Sequence, residues 1–237
     1  MFVLLALVFG LGFVIFGIGS DQGTGIGDIL RDRGGNASGI PSVGDARERV
    51  EKNPRDADAK LQLATALEAE GQTAEAIVVL GEYTNLRPND QGALRQLASL
   101  YLTQAQEAQR RAQAAQDLAR YRSMGGAFAE ALKLNDSETL GQNPIDEAVS
   151  AEANEIISVQ YARAQEGYAK AVQVYERLVE AAPRDPNARL ELAQTAQQAG
   201  DVTKAIAAYE EFVKLAPDDP STPLVQEQIK QLKASRP

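Results

Sequence analysis

The stretch LQLATALEAEGQTAEAIVVLGEYTNLRPND, residues 61 to 90, returns as LELAQTAQQAGDVTKAIAAYEEFVKLAPDD, residues 190 to 219. Leu63, Ala64, Gly71, Ala76, Ile77, Leu86 and Pro88 recur as Leu192, Ala193, Gly200, Ala205, Ile206, Leu215 and Pro217, every pair 129 residues apart. Seven matches at one offset identify an internal repeat. Between the two copies lies a third that has been split. Leu97, Ala98 and Tyr101 sit 34 residues after Leu63, Ala64 and Leu67, whereas Ala171, Tyr175, Leu178 and Pro183 sit 34 before Ala205, Tyr209, Phe212 and Pro217. With a period of 34, the 129-residue spacing leaves an insertion of about 61 residues in the middle unit.

Each unit reads as a helical hairpin. Small Ala residues at the crossings let two helices approach closely, the Gly ends the first helix in a left-handed cap, and the Pro stops the second. A hairpin of this kind leaves an apolar face that only its neighbour can cover, so both ends of the array need caps. Pro54 lies 34 before Pro88, which makes Val43 to Asn53 a lone second-type helix at the front. At the rear, Leu224, Val225, Gln228, Ile229 and Leu232 take helical spacing within Pro223 to Lys233.

These residues resemble the tetratricopeptide repeat. Its pattern of Leu, a small residue and a large one, then a Gly turn, Ala, an aromatic and a closing Pro is met by Leu63, Ala64, Leu67, Gly71, Ala76, Leu80, Tyr83 and Pro88. In the last unit it is met by Leu192, Ala193, Ala196, Gly200, Ala205, Tyr209, Phe212 and Pro217. Where the family has a large residue early in the first helix, this chain has Lys60, Leu94 and Arg189, a departure that predicts weaker packing there. The resemblance implies an all-α solenoid of about three hairpins plus capping helices. Its repeats fall at 57–90, at 91–184 with the insertion near 105–165, and at 185–219, followed by a cap at 223–234 and all within a domain of 44–237.

The resemblance also implies a protein or peptide partner, held in a concave groove lined by the first helices. By repeat position the lining is Leu61, Thr65 and Glu68, then Arg95, Ser99 and Leu102, then Leu190, Gln194 and Gln197. Family members that grip a carboxyl terminus use Lys, Arg and Asn there. The comparable places here hold Leu61, Thr65, Gln96, Asn187 and Glu191, which argues against such a clamp.

The insertion is helical in its own right. Gly92 to Arg122 runs without Pro, and Asn143-Pro144 opens a second helix that extends to Ala182. Leu94, Leu97, Tyr101, Ala105, Ala108, Ala112, Ala115 and Leu118 in the first, and Ile157, Tyr161, Ala164, Tyr168, Ala171, Tyr175 and Leu178 in the second, step by threes and fours. Facing coiled-coil seams of this kind predict an antiparallel arm beyond the stack, about 25 to 30 Å long. Its tip, Met124 to Gln142, offers Phe128, Leu132 and Leu134 either for folding back on the arm or for a partner contact.

Before the repeats, residues 1–18 are uncharged and almost wholly apolar, MFVLLALVFGLGFVIFGI. As a helix they would span about 27 Å, close to the hydrocarbon core of a bilayer. Residues 1–19 therefore read as a transmembrane anchor, with a cleaved signal peptide as the rival reading. A Gly-rich stretch over 20–43 reads as a flexible tether. Arg31 and Arg33 follow the apolar run and taken literally place the repeats in the cytoplasm, whereas the resemblance to envelope accessory proteins of bacteria leans to the outer side. In the tether GTGIG (Gly23, Gly25, Gly27) lacks the strand and helix that a phosphate loop needs. Asn36 and Asn135 open glycosylation tripeptides of a frequently occurring kind.

Composition narrows the chemistry. The 237 residues include no His, Cys or Trp, which removes the Ser/His/Asp triad, the cysteine nucleophile and the usual zinc, haem and iron-sulfur ligands. A net charge of −9 repels nucleic acid. Asp56 with Asp58, Asp185, and Asp218 with Asp219 fall at helix starts, where capping accounts for them. No motif calls for a metal or a cofactor. The expected function is a membrane-anchored, non-enzymatic adaptor near the membrane, with an exported soluble factor and an enzyme of hidden carboxylate chemistry as the alternatives.

Overall fold

The computed structural model describes residues 41–131 and 144–235, with side chains described over 41–121 and 151–235. The expected membrane anchor at 1–19 and most of the tether lie outside the described residues, as do Leu132 and Leu134 of the arm tip. Among the described residues there are eight helices and no strand. None of these helices is long and apolar enough to cross a membrane.

Helix α1 (Val43–Lys52) precedes the hairpin α2 (Ala57–Ala69) and α3 (Thr73–Leu86). The long pair α4 (Gln91–Ala131) and α5 (Pro144–Ala181) follows, then α6 (Pro186–Gln198), α7 (Val202–Leu215) and α8 (Thr222–Ala234). Each helix packs on the one before it and the one after it in the chain, and on no other to any extent. This nearest-neighbour pattern defines a solenoid, whose stability is a sum of hairpins and their interfaces.

The local reasons for the helices are legible residue by residue. Ser42, Asp56, Asp185 and Asp201 each accept a hydrogen bond from a backbone N–H in the first turn of the helix that follows, satisfying donors left over at a helix start. Asp90 likewise accepts from Ala93 N, whereas Asp219 holds the turn before the last helix by accepting from Ser221 N. Gly71 and Gly200 take φ of 73° and 79°. At both turns the residue after the glycine reaches back across the last helical turn, Gln72 N to Leu67 O at 2.8 Å and Asp201 N to Ala196 O at 2.9 Å. The paired bonds Gly71 N to Glu68 O and Gly200 N to Gln197 O complete a Schellman end at each, which a side chain at the glycine would strain.

Packing follows the repeat. Ala64, Ala98 and Ala193 in the first helices and Ala76, Ala171 and Ala205 in the second are fully buried, where a larger side chain would hold the helices apart. Leu67, Leu80, Leu94, Leu178 and Phe212 fill the space between layers. Both end caps are anchored in the same core, α1 through Val43 and Ala46, α8 through Val225, Ile229 and Leu232.

Two expectations need correction. Lys60, read as a weak point, is buried, because its four-carbon stem packs like an apolar residue while its ammonium pairs with Glu82 on α3. Leu94 at the same repeat position is fully buried. The first arm helix, expected to end near Arg122, continues to Ala131 through Gly125 and Gly126. Two interior glycines cost about 1 kcal/mol each against Ala, and the helix formers Ala127, Ala129, Glu130 and Ala131 that follow make up for them. Phe128 thus belongs to helix α4 rather than to a separate turn.

Candidate binding site

The first helices of the three hairpins are α2, the opening turns of α4, and α6, and side-chain bonds tie them to one another. Gln96 on α4 donates from Nε2 to Glu68 on α2 at 2.5 Å. Arg95, one residue earlier, reaches the other way. Its Nε lies 3.0 Å from Glu191 Oε2 on α6, and its Nη2 lies 2.6 Å from Asp185 Oδ2, the cap of that helix. Repeats one, two and three are therefore joined along the face expected to bind a partner.

This cluster is half-buried, and its electrostatics follow from that. Burial pushes the Glu191 carboxyl above its ordinary 4.5; the Arg95 guanidinium pulls it back only in part, while the Asp185 charge adds to the rise. Burial disfavours the Arg95 cation, but the carboxylates of Glu191 and Asp185 outweigh it and hold the guanidinium firmly protonated. Tyr175 on α5 is buried beside the pair, and desolvation raises its phenol well above the ordinary value. Arg95 is thus committed to two carboxylates within the chain. It is a strut between repeats rather than a free cation for a ligand.

The remaining expected lining residues fall into two groups. Ser99 is exposed, Thr65, Gln194 and Gln197 are half-buried, and Leu61 and Leu190 rest partly on the core. The Thr65 hydroxyl donates to Leu61 O at 2.9 Å, and Gln197 Oε1 accepts from Tyr209 OH at 3.0 Å. Leu102, in contrast, is buried in the core, since α4 turns that position toward its neighbours, so it offers no lining surface. The face that is left carries amides, hydroxyls and aliphatic surface, with Arg95 paired to Asp185 and Glu191 and the exposed Glu68 carboxylate bonded to the Gln96 amide. Among the described residues, Gln96 Oε1 and Arg189 Nε are buried without a hydrogen-bond partner. Among the described residues no group of three or more acidic side chains could hold a metal ion.

A second concavity opens where the arm leaves the stack, between the α2–α3 turn and the adjoining parts of α4 and α5. It encloses about 770 Å³, with Ile77, Val78, Tyr101 and Ala108 on its walls and Arg163 and Lys170 among its rim charges. No residue pattern in the sequence announced it, because its walls come from three helices distant in the chain. Gly167 was also missed: a Cβ there would stand 2.9 Å from Ala105 Cβ and 3.1 Å from Tyr101 O, so the glycine permits a close approach of α4 and α5.

Tetratricopeptide-repeat family profiles match residues 57–100 and residues 160–230, on either side of the inserted arm. Similar solved structures include a MamA RS-1 ArsTM double mutant, 17% identical, covering 83% of this chain and 93% of that one with a TM-score of 0.27. Another is a thermophilic TPR protein of Thermus thermophilus, 17% identical, covering 81% and 89% with a TM-score of 0.26. No curated protein matches the chain. The helical hairpins flanking the arm carry tetratricopeptide repeats.

Proposed function

We propose that the chain is an adaptor that binds an extended protein segment along α2, α4 and α6 and is held at a membrane by residues 1–19. The observation that carries the first half is the face built on the first helices, whose central cation is already paired within the chain. Its one central Arg is occupied by Asp185 and Glu191, and its accessible groups are amides, hydroxyls, aliphatic side chains and the Glu68 carboxylate. Such a face suits the backbone amides and apolar side chains of an extended segment, and with carboxylates in excess of its paired Arg95 it disfavours a carboxyl terminus. The apolar run at 1–18 supports the second half, and the outer side of the membrane is the favoured location of the repeats.

The test places a photo-crosslinking residue at Thr65, Ser99 or Gln194 and, as a control, at Val78 on the other side of hairpin one. Crosslinks to one partner from the first three positions and none from Val78 are expected. Capture that survives Ser99→Arg with Gln194→Arg, in a chain whose circular dichroism is unchanged, would remove the groove from consideration. As the chain has no native Cys, single cysteines at Ser38 and Ser235 test location: labelling of intact cells by an impermeant maleimide is expected, and protection until lysis would place the repeats inside.

A further inference from the structure

The cleft at the base of the arm takes no part in the groove. Hairpin one stops at the α2–α3 turn while α4 and α5 run on past it, and the step between them leaves a hollow of about 770 Å³, within the range that small-molecule sites occupy. Its apolar wall is Ile77 and Val78 on α3 with Tyr101 and Ala108 on α4. Ile77 and Ala108 are buried, whereas Val78, at 59% exposed, leaves a branched aliphatic side chain in water at the mouth. The Tyr101 hydroxyl has no hydrogen-bond partner among the described residues. Burial first, and then the Glu166 carboxylate, raise its pKa, so it stays a donor.

Six charged side chains border the hollow, and the ion pairs sort them. Glu75 is held by Arg47 of α1 at 2.5 Å, and Glu107 by Arg111 at 2.7 Å. Arg163, Glu166 and Lys170, all on α5, form no ion pair among the described residues, although Glu166 stands three residues from one cation and four from the other. The two cations project from one face of the helix, about 10 Å apart along its axis. Two unpaired cations against one carboxylate leave the hollow positive, in a chain whose net charge is −9. The first turn of α3 adds to this. Thr73 to Glu75 border the hollow and no side chain caps that helix start, so the positive end of the helix dipole meets the cavity.

Positive potential beside an apolar wall selects a ligand with an anionic head and an apolar body. The geometry points to a binding site for a small organic carboxylate, its head drawn to Lys170 and Arg163 and its aliphatic or aromatic body laid on Ile77, Val78 and the Tyr101 ring. The Tyr101 hydroxyl and the amides of Gln104 and Gln160 border the same hollow and supply neutral donors to the head. A cationic ligand would meet two like charges there, and a neutral apolar one would gain only the wall.

The test uses three probes that share one body and differ in the head: 3-phenylpropionate, 3-phenylpropanol and 3-phenylpropylamine. Each is titrated against the full chain in neutral-lipid nanodiscs and read by ligand-observed saturation-transfer NMR. For a ligand of about eleven heavy atoms the carboxylate is expected to bind with Kd on the order of 1 mM, the alcohol at least about tenfold more weakly and the amine not at all. Lys170→Gln with Arg163→Gln should weaken the carboxylate about tenfold and leave the alcohol unchanged, whereas Glu166→Gln should tighten the carboxylate about threefold. All three positions are exposed, so circular dichroism should not change. A carboxylate that binds no tighter than the alcohol, or whose affinity survives the double substitution, would overturn the proposal. So would a photo-crosslinking residue at Val78 that captures a protein, which would place a partner's segment in the hollow. Thr65, Ser99 and Gln194 are untouched by these variants, so peptide capture in the groove stands or falls separately.

Discussion

Two glycines on helices give opposite responses to one substitution. Gly81, inside α3, has nothing within 4 Å of the place where a Cβ would stand, so Gly81→Ala gains only the helix propensity of alanine. That gain is about 1 kcal/mol. Gly167, inside α5, has the same propensity to gain, but its Cβ would meet Ala105 Cβ at 2.9 Å, Tyr101 O at 3.1 Å and Ala105 Cα at 3.2 Å. Two of those three atoms belong to the backbone of α4 and cannot rotate away. The helices must separate, and overpacking of this kind costs about 1 to 3 kcal/mol. Net of the propensity term, Gly167→Ala should destabilise by about 1 kcal/mol, and the two variants should differ by about 2. For a chain of this size 1 kcal/mol moves Tm by roughly 2 to 4 °C. Urea midpoints and thermal melts read by circular dichroism should therefore rise for Gly81→Ala and fall for Gly167→Ala. A Gly167→Ala protein as stabilised as Gly81→Ala would show that α4 and α5 do not touch at this crossing, and the description of the arm base would be wrong.

Two further outcomes concern charge. Arg95→Gln leaves the half-buried carboxylates of Asp185 and Glu191 facing each other, a loss of about 1 to 2 kcal/mol once the cost for a fully buried pair is discounted for exposure. Because the Glu191 pKa is raised in the fold, its favourable contribution is whole below the ordinary 4.5 and fades as pH rises through the raised value. Removing Arg95 lifts it further, so the deficit should grow between about pH 4 and about pH 7, and an equal deficit at both would refute the assignment. Burial raises Tyr83 and Tyr209 to about 12 and raises Tyr101 and Tyr168 as well. With folded phenols above the unfolded 10.0, stability held below that pH is lost as pH climbs past it, so alkaline unfolding should coincide with tyrosinate absorbance; ionisation of these residues in a still-native chain would contradict it.

What was readable in the sequence was what depends on one helix and its neighbour. Gly71 and Gly200 announced left-handed helix ends, Asp56 and Asp185 announced caps, and the buried alanines were visible as a period of 34. What escaped depends on side chains meeting across repeats. Arg95 stood in the sequence as a groove cation; only the placement of α6 shows its two carboxylates, 90 and 96 residues away. Lys60 looked like a polar intrusion because its reach to Glu82 on the next helix is not encoded in any local pattern. Leu102 was placed in the groove by counting repeat positions, a rule that holds where the first helix ends after four turns. Here that helix continues into the arm, and Leu102 is buried in the core.

The site of the insertion decides what the arm can do. A hairpin of a solenoid touches its neighbours along its length, so extra residues are tolerated only where both helices run past the stack, at their shared turn. Growth there lengthens the end of α4 and the beginning of α5 and leaves Leu94, Ala98, Ala171 and Leu178 in the core untouched. It also leaves no joint. Helix α4 continues unbroken for 41 residues and α5 for 38, so each crosses from core to arm without a loop that could act as a hinge. The arm is about 40 Å of helix beyond residue 105, set at an angle that the repeat packing determines. A binding event at the far half of such an arm is then mechanically coupled to the helices that carry Arg95 and Tyr175.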